Sequence, residues 1–349
     1  PSATSRRTWS TASAAPVLHV LQKEVNKTKQ ALFLPPALLA LIAVVGCSPD
    51  EVISVTLQAS DANGKPVENA DATIAFYQPD STFNSQSGKT NAKGIFSYKA
   101  KSYDDIGYSI EKSGFYRSAG KIHPYRMDGS AAVLVDGQPI YEDQRVDIEL
   151  KEVLTPIPLV AYANWELNIP ERNVKLGYDV LAGDWVPPHG NGESIDIFFE
   201  YKSEYREEYD YSGSLQMTFP NEYDGFAEFE SNFSYGSALK SEYRAPTSGY
   251  MSKKIWRFKR DRGYNQRDFD ESVGYWLRLR TTVDEAGKIR AALYAKVYGD
   301  IQFGGIHEKA FLKFSAVYVN PEQNDTNLEF DPDRNLLGEL KPKNRPRYP

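Results

Sequence analysis

The 349-residue chain has few of the residues on which most catalytic and metal sites depend: one cysteine, three methionines and four histidines. A single cysteine forms no disulfide within its own chain, and once its sulfur is modified no thiol remains for catalysis or metal binding. None of the histidines belongs to an H-x-H or H-E-x-x-H cluster. The sequence therefore predicts no disulfide, no thiolate chemistry and no zinc or iron centre.

Catalytic motifs are also missing. The chain has no G-x-S-x-G turn and no phosphate-binding glycine-rich loop, so no catalytic residue is predicted. Paired carboxylates stay open, because a glycoside hydrolase needs only two acids ~5–10 Å apart. With 47 Asp and Glu in the chain, the sequence cannot select such a pair.

No apolar run is long enough to cross a membrane as a helix. The longest, residues 31–45, is shorter than the ~20 residues required and contains Pro35 and Pro36. Lysines precede it and the small residue Gly46 follows, as in a secretory signal peptide. The ending VVGC resembles the bacterial lipobox. That resemblance implies cleavage between Gly46 and Cys47, a lipid on Cys47 and a membrane as partner through this anchor.

Residues 25–46 form a conventional signal peptide that starts at Val25, and we interpret residues 1–24 as a mis-called extension. The alternative for the apolar run is a buried core segment that ends in cysteine. Polar residues after Cys47 favour a tether. Ser48 resembles the sorting signal of outer-membrane lipoproteins, so we predict an outer-membrane lipoprotein that faces either the periplasm or the medium.

The charge balance argues against nucleic acid as a partner. Residues 1–46 carry five Lys or Arg and one Glu, which leaves 36 basic and 46 acidic residues in the remainder. Nucleic-acid affinity comes from cationic neutralisation of phosphate, so no such partner is predicted. The basic cluster at residues 253–262 is interleaved with acids, and we interpret it as a solvated face rather than a polyanion site.

The rest of the chain has a β-protein's composition, with 23 Tyr, 17 Phe and apolar residues at every second position. The clearest hairpin joins residues 275–283 to 289–297 through the turn DEAGK. Six apolar side chains of this hairpin are expected to share one face: Leu277, Leu279, Val283, Ile289, Leu293 and Val297. Strands separated by Gly, Pro and Asp or Asn turns predict an all-β fold of two β-sandwich domains, the second larger and antiparallel.

Two prolines, Pro156 and Pro158, mark the boundary between the domains, because proline spoils a central strand ladder. We predict domains at residues 52–152 and 153–337. A tail at residues 338–349, rich in Pro, Lys and Arg, is predicted to be disordered.

The first domain carries three motifs: D-x-x-G-K-P-V at residues 61–67, T-N-x-x-G-x-F at 90–96 and I-E-K-S-G-F at 110–115. Together they resemble the carboxypeptidase regulatory-like, or transthyretin-like, β-sandwich. The resemblance implies an Ig-like spacer module without an activity of its own. In the second domain, residues 177–190 and 327–336 resemble an uncharacterised family of bacterial lipoproteins, which implies no activity.

Rings that lie among charged residues are the candidates for ligand contact, because exposed rings stack on sugars or anchor peptides. We select Trp185, Tyr201, Tyr205 and Trp256, with Trp185 first because it lies in a turn-rich loop. The alternative for each ring is burial in the sandwich core.

One acidic cluster could offer oxygen ligands to calcium: Asp325, Glu329, Asp331 and Asp333. It lacks the spacing of an EF-hand loop, and a simple turn is the alternative. No other cofactor is predicted.

The sequence thus predicts a lipid-anchored envelope protein with a non-catalytic binding or structural role, and a glycan or an envelope protein as partner. The alternative is an envelope polysaccharide hydrolase that uses paired carboxylates of the second domain. A cleft with two close acids flanked by rings would favour the hydrolase. Rings without such a pair would favour binding.

Overall fold

The computed structural model describes residues 52–129, 131–207, 209–231, 235–262, 264–305 and 309–349. Regular structure in these ranges consists of strands, apart from short 3-10 turns such as Pro332–Arg334 and Pro342–Asn344. The all-β prediction is confirmed. The predicted signal peptide, its cleavage site, the lipidated Cys47 and the predicted extension at 1–24 lie outside the described residues.

A first sandwich pairs a three-stranded sheet with a five-stranded sheet. The strands in this part of the chain are β1 (Val52–Ser60), β2 (Asp71–Tyr77), β3 (Phe83–Lys89), β4 (Ile95–Lys101), β5 (Ile106–Glu111), β6 (Ser118–Ile122), β7 (Met127–Asp128), β8 (Ala131–Ala132), β9 (Leu134–Val135), β10 (Gln138–Pro139) and β11 (Gln144–Glu149). Of these, β7 and β8 form a separate two-stranded sheet, as do β9 and β10. One sheet has the order β11-β1-β4. In the other, β6-β5-β2-β3, the outer edge of β6 is extended by β18 (Gly236–Ser237) from later in the chain.

The core of this sandwich follows from the alternation in β1. Val55, Leu57 and Ala59 are fully buried and pack in one cluster with Ile74 and Phe76 of the facing sheet. The T-N-x-x-G-x-F motif turns at Gly94, whose φ is +74°. A Cβ there would lie 2.2 Å from the carbonyl oxygen of Ala59, so glycine is required by both conformation and space.

A second sandwich contains two larger sheets. Its strands are β12 (Val160–Asn168), β13 (Lys175–Asp179), β14 (Asp184–Trp185), β15 (Ile197–Glu207), β16 (Asp210–Thr218), β17 (Gly225–Glu230), β19 (Lys253–Asp261), β20 (Tyr264–Arg267), β21 (Val273–Val283), β22 (Ile289–Tyr298), β23 (Gln302–Gly304) and β24 (Phe311–Asn320). One sheet has the order β12-β24-β22-β21-β17, with β23 also paired to β24. The other has the order β14-β13-β15-β16-β19-β20.

The predicted hairpin exists as β21 and β22, but its apolar residues do not share one face. The pairing shifts register between Leu279 and Val283, where Arg280 adopts a φ of +52°. Leu293 therefore faces the core between the two sheets, whereas Ile289 packs in a separate cluster on the outer side. A bulge of this kind redirects side chains without leaving a signal in the alternation.

The sheet that contains β22 is buried on both faces. Its outer side carries a second cluster that includes Trp276, Tyr298 and Tyr318, and the end of the chain packs over it. The disorder predicted for residues 338–349 is therefore wrong. The carbonyl oxygens of Tyr348 and Pro349 accept hydrogen bonds from this face, which offsets the cost of ordering a charged segment.

The division at residues 152 and 153 stays a prediction. The core of the first sandwich draws on residues 53–150, and the two clusters of the second draw on later residues. Contacts cross the boundary: besides the β18–β6 pairing, the Tyr116 hydroxyl donates to Glu329 Oε1 at 2.7 Å and the Tyr243 hydroxyl donates to the carbonyl of Glu152 at 2.7 Å.

Candidate functional site

One cleft of the second sandwich lies where the sheet of β15, β16, β19 and β20 extends past the buried core. Along β15, Ile197 and Phe199 are buried, whereas the residues after Ser203 are exposed. The cleft has a volume of about 410 Å³, within the range of small-ligand sites. It is lined by Tyr211, Arg257, Phe258, Lys259, Arg260, Asn265, Gln266, Arg267, Phe269, Glu271, Ile301, Gln302, Phe303, Gly304, Gly305 and Phe311.

The strand register shows which of these side chains face inward. Phe258 is buried against the core, and Arg267 lies directly opposite it on β20. Arg260 follows two residues after Phe258, with Tyr211 opposite it on one side and Asn265 on the other. Directly opposed residues of an antiparallel pair project to the same face. All five side chains therefore point to the same side of the sheet, toward the cleft.

Rings form the floor of the cleft. The Phe258 ring lies over Gly213, where a Cβ would be 2.6 Å from the ring, and its centroid is 5.6 Å from that of Phe303 on the facing sheet. Tyr211 meets Phe258 edge to face, with centroids 6.0 Å apart. A substituent at Gly213 would therefore displace the floor. These packed rings present a rigid apolar surface beneath exposed polar groups.

The basic cluster at residues 253–262 is divided by β19 between the two faces of the sheet. Arg257 and Lys259 project outward, whereas Arg260 projects inward, so the prediction of a solvated face holds for only part of the cluster. The Arg260 guanidinium lies 5.2 Å from the centroid of Tyr209 and 5.8 Å from that of Tyr211. Cation–π contacts of this kind hold the guanidinium in place.

Three of the four predicted ligand-contacting aromatics are core residues. Trp185 and Trp256 are 3% and 1% exposed, and Tyr201 is 1% exposed. Trp185 donates its indole N–H to the carbonyl of Asn168 at 2.9 Å. The prediction that these three rings contact a ligand is wrong, and the alternative of core burial is what the structure shows. Charged neighbours in sequence do not expose a ring whose own strand position faces inward.

Tyr201 supports the wall of the cleft, and Tyr205 lies just beyond it. The Tyr201 hydroxyl donates to the carbonyl of Gly305 at 2.6 Å and so positions the cleft wall at Gly304 and Gly305. Burial raises the pKa of Tyr201 to about 12, which keeps this hydroxyl a donor at neutral pH. Tyr205 is 42% exposed and lies opposite Tyr211, so it continues the inward face beyond the cleft.

The acids that come closest to a catalytic pair lie elsewhere in the second sandwich. Asp179 and Asp196 are buried and share Arg280, at 3.1 Å and 2.7 Å. Backbone N–H groups fill the other positions: Asp179 accepts four and Asp196 accepts that of Val180. Burial raises the pKa of Asp196, against the lowering effect of Arg280. Buried carboxylates bonded in this way to backbone N–H groups and an arginine hold loops together.

Asp300 is a second buried carboxylate with structural partners. It accepts hydrogen bonds from the indole of Trp256 at 2.8 Å and from the hydroxyl of Tyr275, and its other oxygen accepts the N–H of Asp270 at 3.0 Å. Burial raises the pKa of Asp300. This network explains why Trp256, although surrounded by charges in sequence, belongs to the core.

Three of the four acids considered for calcium have other partners, among them Asp325, whose Oδ1 lies 3.4 Å from Nη1 of Arg244. Glu329 is 1% exposed and accepts the N–H groups of Leu154 and Thr155 at 2.8 and 2.6 Å, while Asp331 pairs with Arg334. In the part of the chain that the structure describes, no group of three or more His, Cys, Asp or Glu could hold a metal ion. The turn interpretation fits Asp331, which caps the 3-10 turn at Pro332–Arg334.

Phe303, Asn265 and Arg267 were not predicted as site residues. Arg267 meets Phe258 only through the β19–β20 pairing, and Phe303 reaches it from the facing sheet. The one available signal in the sequence was the polar segment at residues 264–268, which follows a strand containing Trp256 and Phe258. Across the described ranges, no helix is long and apolar enough to cross a membrane.

Comparisons with known proteins do not assign a family. No family model matches the chain, and no curated protein matches it. The resemblance to transthyretin-like modules and to bacterial lipoproteins therefore stays a prediction.

Several solved structures show a weak likeness. A catechol 1,2-dioxygenase from Acinetobacter sp. ADP1 is 14% identical over 31% of this chain and 55% of its own, with a TM-score of 0.24. The shaft pilin SpaA from Lactobacillus rhamnosus GG is 14% identical over 54% and 94%, at 0.21. A putative carbohydrate binding protein from Bacteroides uniformis is 10% identical over 77% and 98%, at 0.17. The chain spans about half of the dioxygenase, and scores this low carry no functional argument.

Proposed function

We propose that this protein is a non-catalytic binding protein of the cell envelope, and that the cleft of the second sandwich binds a glycan. The observation that carries the proposal is the inward face of β16, β19 and β20. There, ring surfaces from Tyr211, Phe258 and Phe303 lie beside exposed amide and guanidinium groups. Sugars present flat C–H faces for the rings and hydroxyl groups for polar side chains that donate and accept.

A peptide ligand is less well matched to this surface. Grooves that bind peptides provide apolar pockets for side chains. Among the lining residues that the structure describes, the only aliphatic side chain is that of Ile301, which is 2% exposed and belongs to the core. The exposed part of the lining consists of rings and polar groups.

The hydrolase alternative requires two carboxylates that face one cleft. Among the described residues, the lining contains one, Glu271. Asp179, Asp196 and Asp300 are buried, are bonded to structural partners and are not part of this lining. The arrangement supports binding over hydrolysis.

Replacing Tyr211 by alanine tests the proposal. The Cys47→Ser chain, which cannot be acylated, is measured against a panel of neutral and acidic polysaccharides by affinity electrophoresis. We expect at least one polysaccharide to bind. Tyr211→Ala should weaken that binding about fivefold, because a stacked ring contributes roughly 1 kcal/mol. Asn265→Ala, an exposed position, repeats the test without touching the core.

The matched control is Tyr264→Ala. Tyr264 is 65% exposed on the same hairpin, but it lies three residues before Arg267 and so projects from the opposite face of β20. This variant should bind as the parent does. Equal losses in the Tyr211 and Tyr264 variants, or no binding to any polysaccharide, would refute the assignment of the cleft.

We further propose that a lipid on Cys47 attaches the protein to the outer membrane, with the first sandwich as a spacer. The support is the lipobox-like VVGC and the polar residues that follow it. In a bacterial host, cells fed a radiolabelled fatty acid should label the parent chain. Cys47→Ser should abolish the label and release the protein from membranes. A Ser48→Ala control should retain both. Labelling that persists without Cys47 would contradict the anchor.

A further inference from the structure

The cleft differs in charge from the rest of the protein. The chain has six more acidic than basic residues, yet among the described residues that line the cleft four are cationic and one is acidic. Two of the cations, Arg260 and Arg267, are on the inward face, and the acid is Glu271. A local reversal of sign in an acidic protein attracts an anionic ligand to the cleft, whereas the acidic surface elsewhere repels the same ligand.

The two inward guanidinium groups are diagonal neighbours. Arg260 lies opposite Asn265, and Arg267 follows two residues later on the same strand. Diagonal pairs on adjacent strands stand ~7–8 Å apart at the backbone, within reach for long side chains. One anionic group could therefore contact both. The Asn265 amide between them can donate to and accept from a neighbouring hydroxyl.

Acidic side chains form ion pairs with some of the cations of this region but not with Arg267. Lys259 pairs with Asp261 at 3.3 Å, and Arg262 pairs with Glu207 at 3.5 Å. No ion pair joins Arg267 to another residue of the described chain, and Arg267 is exposed at the rim of the cleft. Arginine binds carboxylates through two parallel N–H bonds, which gives directional as well as electrostatic selectivity.

We infer that the cleft selects glycans that carry carboxylates, such as polymers of uronic acids. In this arrangement Arg267 and Arg260 bind the carboxylate, Asn265 bonds a hydroxyl and the sugar ring lies on Tyr211, which packs on the buried Phe258. The inference rests on the proposed glycan-binding function and adds the chemical class of the ligand.

The test compares one polymer with and without its charge. Binding of the Cys47→Ser chain to polygalacturonate is measured beside the same polymer with its carboxyl groups methyl-esterified. Esterification keeps the sugar and the linkage but removes the anion. We expect the ester to bind at least tenfold more weakly, since a charge-assisted bidentate bond is lost. Affinity for the free acid should also fall with added salt.

Arg267→Gln should lower affinity for polygalacturonate about tenfold and leave affinity for the ester unchanged. The matched control is Arg262→Gln, which removes the same charge from the same hairpin outside the cleft, at a side chain that is 81% exposed. It should bind both polymers as the parent does. Both positions are exposed, and matching thermal unfolding midpoints establish that both variants fold.

The possible failures are distinct. Equal binding of acid and ester would overturn the selectivity for carboxylates while the glycan-binding function stands. If no glycan of the wider panel binds, the proposed function itself fails. Tighter binding of single-stranded oligothymidylate than of polygalacturonate, also sensitive to Arg267, would replace the glycan by nucleic acid, which likewise uses rings and cations.

Discussion

Replacing Arg280 by methionine is expected to lower the free energy of unfolding by about 3 kcal/mol. The guanidinium lies between two buried carboxylates, with Nε 2.7 Å from Asp196 Oδ1 and Nη2 3.1 Å from Asp179 Oδ1. Methionine keeps an unbranched stem but leaves both carboxylates without a cation. Loss of one partner of a buried ion pair leaves an uncompensated charge, which costs more than the pair contributes.

The loss should depend on pH. Burial already raises the folded-state pKa of Asp196 above its unfolded value, so this group favours folding at low pH, and that contribution is lost as pH rises through the folded pKa. Without Arg280 the folded pKa rises further. The variant should therefore be most destabilised at pH 7. At pH 5 it should recover part of the lost free energy of unfolding, because protonation neutralises the Asp196 carboxylate.

Urea unfolding at both pH values measures the effect. Arg290→Met is the control, because Arg290 is an exposed arginine on the adjoining strand β22 and its replacement should change stability by less than about 0.5 kcal/mol. If Arg280→Met lowers the free energy of unfolding equally at pH 5 and pH 7, the arginine does not act by stabilising the carboxylates.

The sequence was sufficient to predict the elements that follow simple alternation. In β1, Val55, Leu57 and Ala59 are buried in the predicted order, and the hairpin of β21 and β22 exists at the predicted residues. In β1 one face meets the core and the other is partly exposed, whereas the hairpin is marked by its turn. The local pattern then carries the information that decides the fold.

Prediction failed where both faces of a strand are covered. Alternation places Lys296 on the outer face of β22, where a lysine normally meets solvent, but this residue is 0% exposed. The cover comes from residues 338–349, whose composition indicated disorder. Which distant segment packs on a given face is decided by tertiary contacts that no local period reports.

The cleft was missed for the same reason. Trp185 and Trp256 have the neighbours expected of binding residues, yet their N–H groups are bonded inside the core. Arg267 lies in an unremarkable polar hairpin and faces Phe258 only because of the strand register. A site assembled from three strands and the facing sheet is a property of pairing, and pairing requires the structure.

Removing residues 338–349 is expected to lower the free energy of unfolding by at least about 4 kcal/mol, several times the cost of a lost surface segment. The Asn344 amide donates to the carbonyls of Ala163 and Asn164, both at 3.0 Å. The Tyr348 carbonyl accepts the hydroxyl of Tyr318 at 2.7 Å. Each buried group left unpaired costs about 1–3 kcal/mol, and Leu340 would leave the core cluster that it packs against.

The matched control keeps the tail and removes its solvated charges. Lys341→Ala with Lys343→Ala changes two exposed side chains and should leave the midpoint of thermal unfolding within about two degrees of the parent. Asn344→Ala isolates one contact and should cost about 2 kcal/mol.

The truncation should also change the chemistry of Lys296. Its ammonium donates to the hydroxyl of Tyr298 at 2.8 Å and to the carbonyl of Pro349 at 3.2 Å, and burial lowers its pKa well below that of an ordinary lysine. This group therefore penalises the folded state below the folded pKa, and the penalty is relieved as pH rises toward the unfolded value. Without the tail, water reaches the amine and that dependence disappears.

Mass spectrometry after brief treatment with an amine-acylating reagent measures the exposure. Lys296 should be unmodified in the parent and modified in the truncated chain, while an exposed lysine such as Lys253 reacts equally in both. A truncated chain that unfolds at the parent's temperature with Lys296 still protected would show that the contacts of residues 338–349 contribute nothing. If the truncated chain loses both stability and the protection of Lys296, this segment is part of the second sandwich, because only a packed cover excludes water from a lysine side chain.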